Sequence, residues 1–166
     1  MKTCHWSSII ALAGTIFVAQ SATGAEPPSK KDLTIGKWEL QVAKSHVCNA
    51  GARKSAREIT DSGWGLVTTH WTGIDAKGAP IDTWYVYKLD GQKYPSDIGK
   101  PTDVAISWKQ TSPSRIEFID WAKDGKKLAD NVREVSADGQ TMTQTTTPAT
   151  ADGKAPCVDT QVFARQ

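Results

Sequence analysis

The sequence predicts an all-β fold, an antiparallel up-and-down meander closed into a barrel of about 8–9 strands. Three observations predict it. Turn signals recur along the chain at Asp75-Ala76-Lys77-Gly78, Asp90-Gly91, Asp124-Gly125, Asp138-Gly139 and Asp152-Gly153, pairs that tolerate the positive φ of tight hairpins. Between them lie short runs rich in Val, Ile, Thr, Trp and Tyr, several alternating apolar and polar residues with a period of two. No long segment after the N-terminal apolar run follows the 3.6-residue period of a helix. An open sheet of this many strands would leave long unpaired edges, and closure removes them. A two-sheet sandwich with the same meander is the alternative.

Residues 1–25 read as a secretory signal. Lys2 supplies the positive start, Ile9 to Ala19 the apolar run, and Thr23-Gly24-Ala25 the small residues before a cut at Glu26. The run is too short for a membrane span, and no later segment is apolar enough for one. The expected location is therefore periplasmic or secreted. Residues 26–33, with Pro27, Pro28 and Lys30-Lys31, form a flexible leader, and residues 34–166 form the barrel domain.

The first strand runs near Thr34 to Ala43, where Trp38, Leu40 and Val42 alternate with Lys37, Glu39 and Gln41. Lys44 to Ala56 is a polar loop with room for a short helical turn. A weak second strand follows near Arg57 to Asp61, and a third near Trp64 to Ile74. The fourth, Ile81 to Leu89, sets Thr83, Tyr85, Tyr87 and Leu89 on one face. Lys93 to Lys100, with Pro95 and Gly99, is a loop. Val104, Ile106 and Trp108 share a side of the fifth strand. Ile116, Phe118 and Asp120 share a side of the sixth, Arg115 to Ala122. The seventh, Lys127 to Val135, is more polar. The eighth, Thr141 to Thr147, is nearly all Thr and Gln apart from Met142, and reads as ordinary β surface. The ninth runs from Val158 to Ala164.

The formal net charge is only +2 at pH 7, with no basic stripe and no acidic block, so nothing steers the chain toward nucleic acid. No glycine-rich loop leads into a helix and no serine sits on a glycine-flanked elbow, which removes the usual phosphate cradles and nucleophilic sites. No cofactor is expected. Cys48 and Cys157 remain after the signal, and an even pair in an exported chain suggests a disulfide. His46 and Cys48 form an H-x-C pair, but two donors are too few for a metal site, so no metal is expected.

Gly36-Lys37-Trp38 opens the first strand as G-x-W. With Gly36 to Ser45 (GKWELQVAKS), Asp75-Ala76-Lys77-Gly78, Leu89 to Pro95 (LDGQKYP) and Ser136 to Thr143 (SADGQTMT), the chain resembles a family of small exported bacterial lipocalin-like proteins. The resemblance covers nearly the whole mature chain and implies a calycin-type barrel. It also implies that Trp38 closes one end of the barrel against a basic residue near the last strand, with Arg165 as the partner. It carries no ligand and no catalytic set, and the two cysteines and the many tryptophans depart from it.

The expected function is binding of a small apolar or amphipathic molecule, without chemistry. The residues expected to face it are Leu40, Trp71, Tyr85, Tyr87, Ile106, Trp108, Phe118 and Met142, with Trp38 and Arg165 as structure. The bland reading is that these rings merely fill the barrel. Two other functions compete. A filled barrel acting as an envelope or interaction protein would show Trp84 and Trp121 on its outside. An isomerase or cyclase would use Asp120, whose inward parity would desolvate it and raise its pKa. His70, between Thr69 and Trp71, is expected to face solvent.

Overall fold

The computed structural model describes residues 31–48, 51–100, 102–150 and 155–166. The expected signal segment, most of the leader and the Asp152-Gly153 turn lie outside them. Ten strands run in chain order: β1 (Gly36–Leu40), β2 (Lys54–Asp61), β3 (Leu66–Ile74), β4 (Pro80–Lys88), β5 (Asp90–Pro95), β6 (Val104–Ser112), β7 (Arg115–Ala122), β8 (Lys127–Val135), β9 (Thr141–Pro148) and β10 (Asp159–Arg165). A 3₁₀ turn at Val42–Lys44 follows β1. Every ladder is antiparallel and the strand order is β4-β3-β2-β1-β10-β9-β8-β7-β6-β5. The chain's first and last strands pair in the middle, so the meander curls into a nearly closed barrel. Its seam lies between β4 and β5, which no ladder joins. Near the seam the Ile98 N–H donates to the Trp84 carbonyl at 3.0 Å.

Two elements differ from the sequence reading. Asp90–Pro95 is a strand rather than a hairpin tip and loop, because Asp90-Gly91 turns the chain away from β4 and across to β6, where Tyr94 pairs with Ile106. The second strand is also longer than its apolar pattern, starting at Lys54, because its pairing with β3 continues from Asp61–Val67 to Lys54–Ile74. Its inward residues there are Ser55 and Arg57, which polarity alone assigns to the surface.

The core follows from strand parity. Trp38, Ile59, Tyr87, Ile116, Met142 and Phe163 are each no more than 2 % exposed, with Val67, Ile106, Trp108, Phe118 and Val135 around them. One end of the barrel is sealed. Trp38 lies opposite Arg165 in the β1–β10 ladder, and the guanidinium sits 4.2 Å from the centre of its ring. Arg165 also donates to the carbonyls of Gly139, Ile35 and Leu33 at 2.6, 3.0 and 2.7 Å. The Trp38 indole N–H donates to the Thr34 carbonyl at 2.7 Å. Gly36 is required here: a Cβ on it would stand 2.5 Å from Arg165 Nη1, and its φ of +140° disfavours any L side chain.

The other end is the mouth. It is framed by the β3–β4, β5–β6 and β7–β8 turns and by the segment after β1. That segment is tied to β10 by the Cys48–Cys157 disulfide, by a His46–Thr160 bridge and by the Cys48 N–H donating to Asp159 Oδ1 at 2.7 Å.

Candidate ligand cavity

A cavity of about 300 Å³ opens from the mouth, lined by Arg57, Trp71, Tyr85, Ser96, Val104, Ile106, Trp108, Phe118, Asp120, Asn131, Arg133, Gln144, Thr146 and Gln161. Five of the eight residues expected to face a ligand meet on this wall: Trp71, Tyr85, Ile106, Trp108 and Phe118. The other three sit beneath it as core. Tyr87 stacks on Trp108 (4.2 Å between ring centres, 15° between planes), and Leu40 and Met142 are buried in the same cluster. Phe118 stacks on the opposite side of Trp108 at 4.2 Å and 22°. This three-ring pile is the floor that makes the cavity short.

Apart from Asp120, the polar half of the wall was not legible in the sequence. Arg57 from β2 and Arg133 from β8 are buried, and no carboxylate forms an ion pair with either among the described residues. Both donate to one acceptor, Gln144 Oε1, Arg57 through Nη1 at 2.6 Å and Arg133 through Nη2 at 3.2 Å. Arg57 Nη2 also reaches Gln161 Oε1 at 3.4 Å. Three guanidinium nitrogens, Arg57 Nε and Arg133 Nε and Nη1, are buried without a hydrogen-bond partner among the described residues. Aromatic faces supply part of what water would. Arg57 lies 5.4 Å from the Trp71 ring and 4.9 Å from Phe163, and Arg133 lies 5.3 Å from Trp108 and 5.5 Å from Phe118. The electrostatic result is a site short of one negative charge. Burial, then repulsion from Arg133, pushes the Arg57 guanidinium down to about 9. Burial pushes the Tyr85 and Tyr87 phenols up, partly countered by the nearby guanidiniums. The Tyr87 hydroxyl is satisfied by Thr69 Oγ1 at 3.1 Å.

Asp120 faces the same cavity. Its Oδ2 accepts from Asn131 Nδ2 at 3.1 Å, and Thr146 Oγ1 donates to Asn131 Oδ1 at 2.6 Å. Burial pushes its carboxyl pKa up, and the Asn131 hydrogen bond draws it back. The ladder shifts register just after it, between Asp120 and Trp121.

The remaining sequence candidates lie elsewhere. On the barrel exterior His70 Nε2 donates to Asp82 Oδ1 at 2.8 Å, and its ring stacks on Trp84 at 3.9 Å. Trp84 is 41 % exposed, while Trp121 bonds Ser107 Oγ through its indole N–H at 3.0 Å and carries Lys93 3.9 Å above its ring. Each outer tryptophan is engaged by its own neighbours. The His46 ring nitrogen lies within 4.8 Å of the Cys48 and Cys157 sulfurs, and Cys157 is the third donor that the H-x-C spacing does not reveal. With Cys48 and Cys157 joined, neither sulfur is a thiolate able to hold a metal. Two larger hollows exist, about 750 Å³ along β5–β7 beside Trp121 and about 520 Å³ at the sealed end beside Asp32 and Leu89. Neither contains a buried cation, so neither has the inner cavity's unmet charge.

No protein-family model matches the chain, and a comparison with curated proteins returns no match. Solved structures do share its fold. The fluorescent protein UnaG superposes with a TM-score of 0.57 at 18 % identity, over 80 % of this chain and 96 % of that one. Fatty-acid-binding protein 1 of Echinococcus granulosus gives 0.56 at 15 % identity, over 80 % and 97 %. The fold is a calycin-type barrel of this kind. At these identities the likeness extends to the fold alone.

Proposed function

We propose that this chain binds a small amphipathic acid inside the barrel. The ligand's anionic group sits against Arg57 and Arg133, and its apolar body lies between Trp71, Trp108 and Phe118. One observation carries the reading: two buried guanidiniums share a single amide oxygen and leave three nitrogens without a hydrogen-bond partner among the described residues. A buried charge without a partner is costly, and a carboxylate accepts several such donors at once. The wall around them is aromatic, the usual composition of a small-molecule site, and its volume is at the lower end for one. That a protein named for fatty-acid binding has the same fold supports the reading. The Cys48–Cys157 bridge supports the exported location read from residues 1–25.

The test is native mass spectrometry of the mature protein purified from its own compartment, followed by titration of aryl and alkyl carboxylates with thermal unfolding as the readout. A non-covalent acid in the native spectrum, or a concentration-dependent rise in midpoint with acids but not with the matching alcohols, is the expected result. Equal effects of acid and alcohol would overturn the anion-binding role of the arginines.

A further inference from the structure

Resting on that reading, we infer that the preferred ligand is a compact aryl acid carrying a hydroxyl or amino donor at the end away from its carboxylate, and that Asp120 selects for that donor. Three features of the cavity lead there. The first is length. The Tyr87–Trp108–Phe118 pile closes the barrel below. The space above it, about 300 Å³, equals the share of about ten water molecules in the liquid. Such a space suits a ring with a short acid arm, not an extended long-chain lipid. The second is shape. Trp71, Tyr85 and Trp108 offer flat faces and edges on several sides, with Tyr85 edge-on to Trp108 at 71°, a surround that suits a planar ring.

The third feature is polarity at both ends. In the β7–β8 ladder Arg133 lies opposite Ile116, while Asp120 lies four residues nearer the mouth, about 13 Å along the strand. The arginine side chains narrow that gap. No ion pair crosses it: neither guanidinium bonds Asp120, whose only hydrogen bond from a described residue is that of Asn131 to Oδ2. Oδ1 is therefore a carboxylate acceptor open to the cavity that accepts from no described residue. Asn131, itself held by Thr146, anchors the Asp120 carboxylate through Oδ2. A ligand with acid at one end and a donor at the other satisfies both poles together. A plain acid leaves Asp120 desolvated and unmatched.

Isothermal titration of the mature protein with 4-hydroxycinnamate, cinnamate and hexadecanoate tests this without any variant. The hydroxylated acid is expected to bind at least tenfold tighter than cinnamate, the range of one charge-assisted hydrogen bond, and hexadecanoate is expected to bind weakest. In Asp120→Ala, checked for native circular dichroism, the hydroxyl preference falls to within twofold and cinnamate binds no more weakly than to the parent. Asp120→Asn retains an acceptor and an intermediate preference. Equal binding of the two cinnamates, or tighter binding of hexadecanoate, would overturn the selection by Asp120 and leave the arginine anchor standing. Absence of binding by all three acids would overturn both.

Discussion

Arg57 is expected to destabilise the ligand-free protein. Burial pushes its guanidinium down to about 9, so the folded state disfavours the charged form. At neutral pH the group is charged in both folded and unfolded chains, and the penalty is fully present. It amounts to roughly 5 kcal/mol at 1.36 kcal/mol per tenfold change in acidity. Against it stand the ring contacts with Trp71 and Phe163 and the bonds to Gln144 and Gln161, together about 1–3 kcal/mol. Arg57→Met is of similar length and removes the charge. Gln144 Oε1 is not orphaned by the change, because Arg133 still donates to it at 3.2 Å. The variant should therefore be more stable than the parent by about 2 kcal/mol, in line with other buried charges replaced by apolar side chains. At about 4 °C per kcal/mol for a domain of this size, its midpoint at pH 7 should rise by about 8 °C. The sign fixes the pH dependence. The parent's penalty is full below about 9 and fades as pH rises above it, since the unfolded chain then holds more protons than the folded one. The gap between the two proteins should thus narrow in alkaline buffer. Thermal unfolding followed by circular dichroism at pH 7 and pH 10 measures both effects. A variant less stable than the parent at pH 7 would refute the reasoning, because the arginine would then be held for structure and not for an anion.

Three other outcomes follow from the same geometry. Trp108→Leu removes the middle ring of the pile. It should lower stability by about 3 kcal/mol and let dodecanoate bind measurably in calorimetry, whereas unchanged chain-length preference would show that Trp108 is not the floor. Replacing Cys48 and Cys157 by Ser should lower the free energy of unfolding in denaturant titration by about 2–5 kcal/mol for a closure of 109 residues, with a reductant giving the parent the same loss. No loss would mean that the His46–Thr160 bridge holds the segment unaided. Gly36→Ala places a Cβ where Arg165 Nη1 stands. It should cost about 2 kcal/mol and weaken the quenching of Trp38 by the guanidinium, and full native stability would show that Arg165 can move away freely.

The apolar half of this site was legible because barrel parity and hydrophobicity agree there. Ile106 and Trp108 alternate with Ser107 and Lys109, Ile116 and Phe118 flank Glu117, and Tyr85 and Tyr87 share a face with Thr83 and Leu89, so the inward set follows from the period of two. The extra strand, β5, was not legible. Asp90-Gly91 has the composition of a hairpin tip, and nothing local says that the chain crosses to β6 while leaving the seam beside β4 unpaired. Asp120 shared a parity with Ile116 and Phe118, and that parity survives because the register shift falls after it.

Arg57, Arg133 and Gln144 were missed for a different reason. Each lies in a run whose polarity suggests solvent on both faces, and the eighth predicted strand was read as surface. Parity did carry a signal: Arg57 is two residues from Ile59, Arg133 two from Val135, and Gln144 two from Met142, and those three neighbours are buried. The inference from parity would place two arginines and a glutamine in the core, which the rule against burying polar groups forbids. The conflict between the two rules is itself the information. A chain that keeps strand register yet places two cations without a carboxylate partner inside a barrel departs from the stability optimum, and the proposed anion would supply the missing group. The departure is confined to one side of the three-ring pile. Below it, Arg165 packs on Trp38 and donates to three backbone carbonyls, and no buried cation is left without a partner among the described residues there.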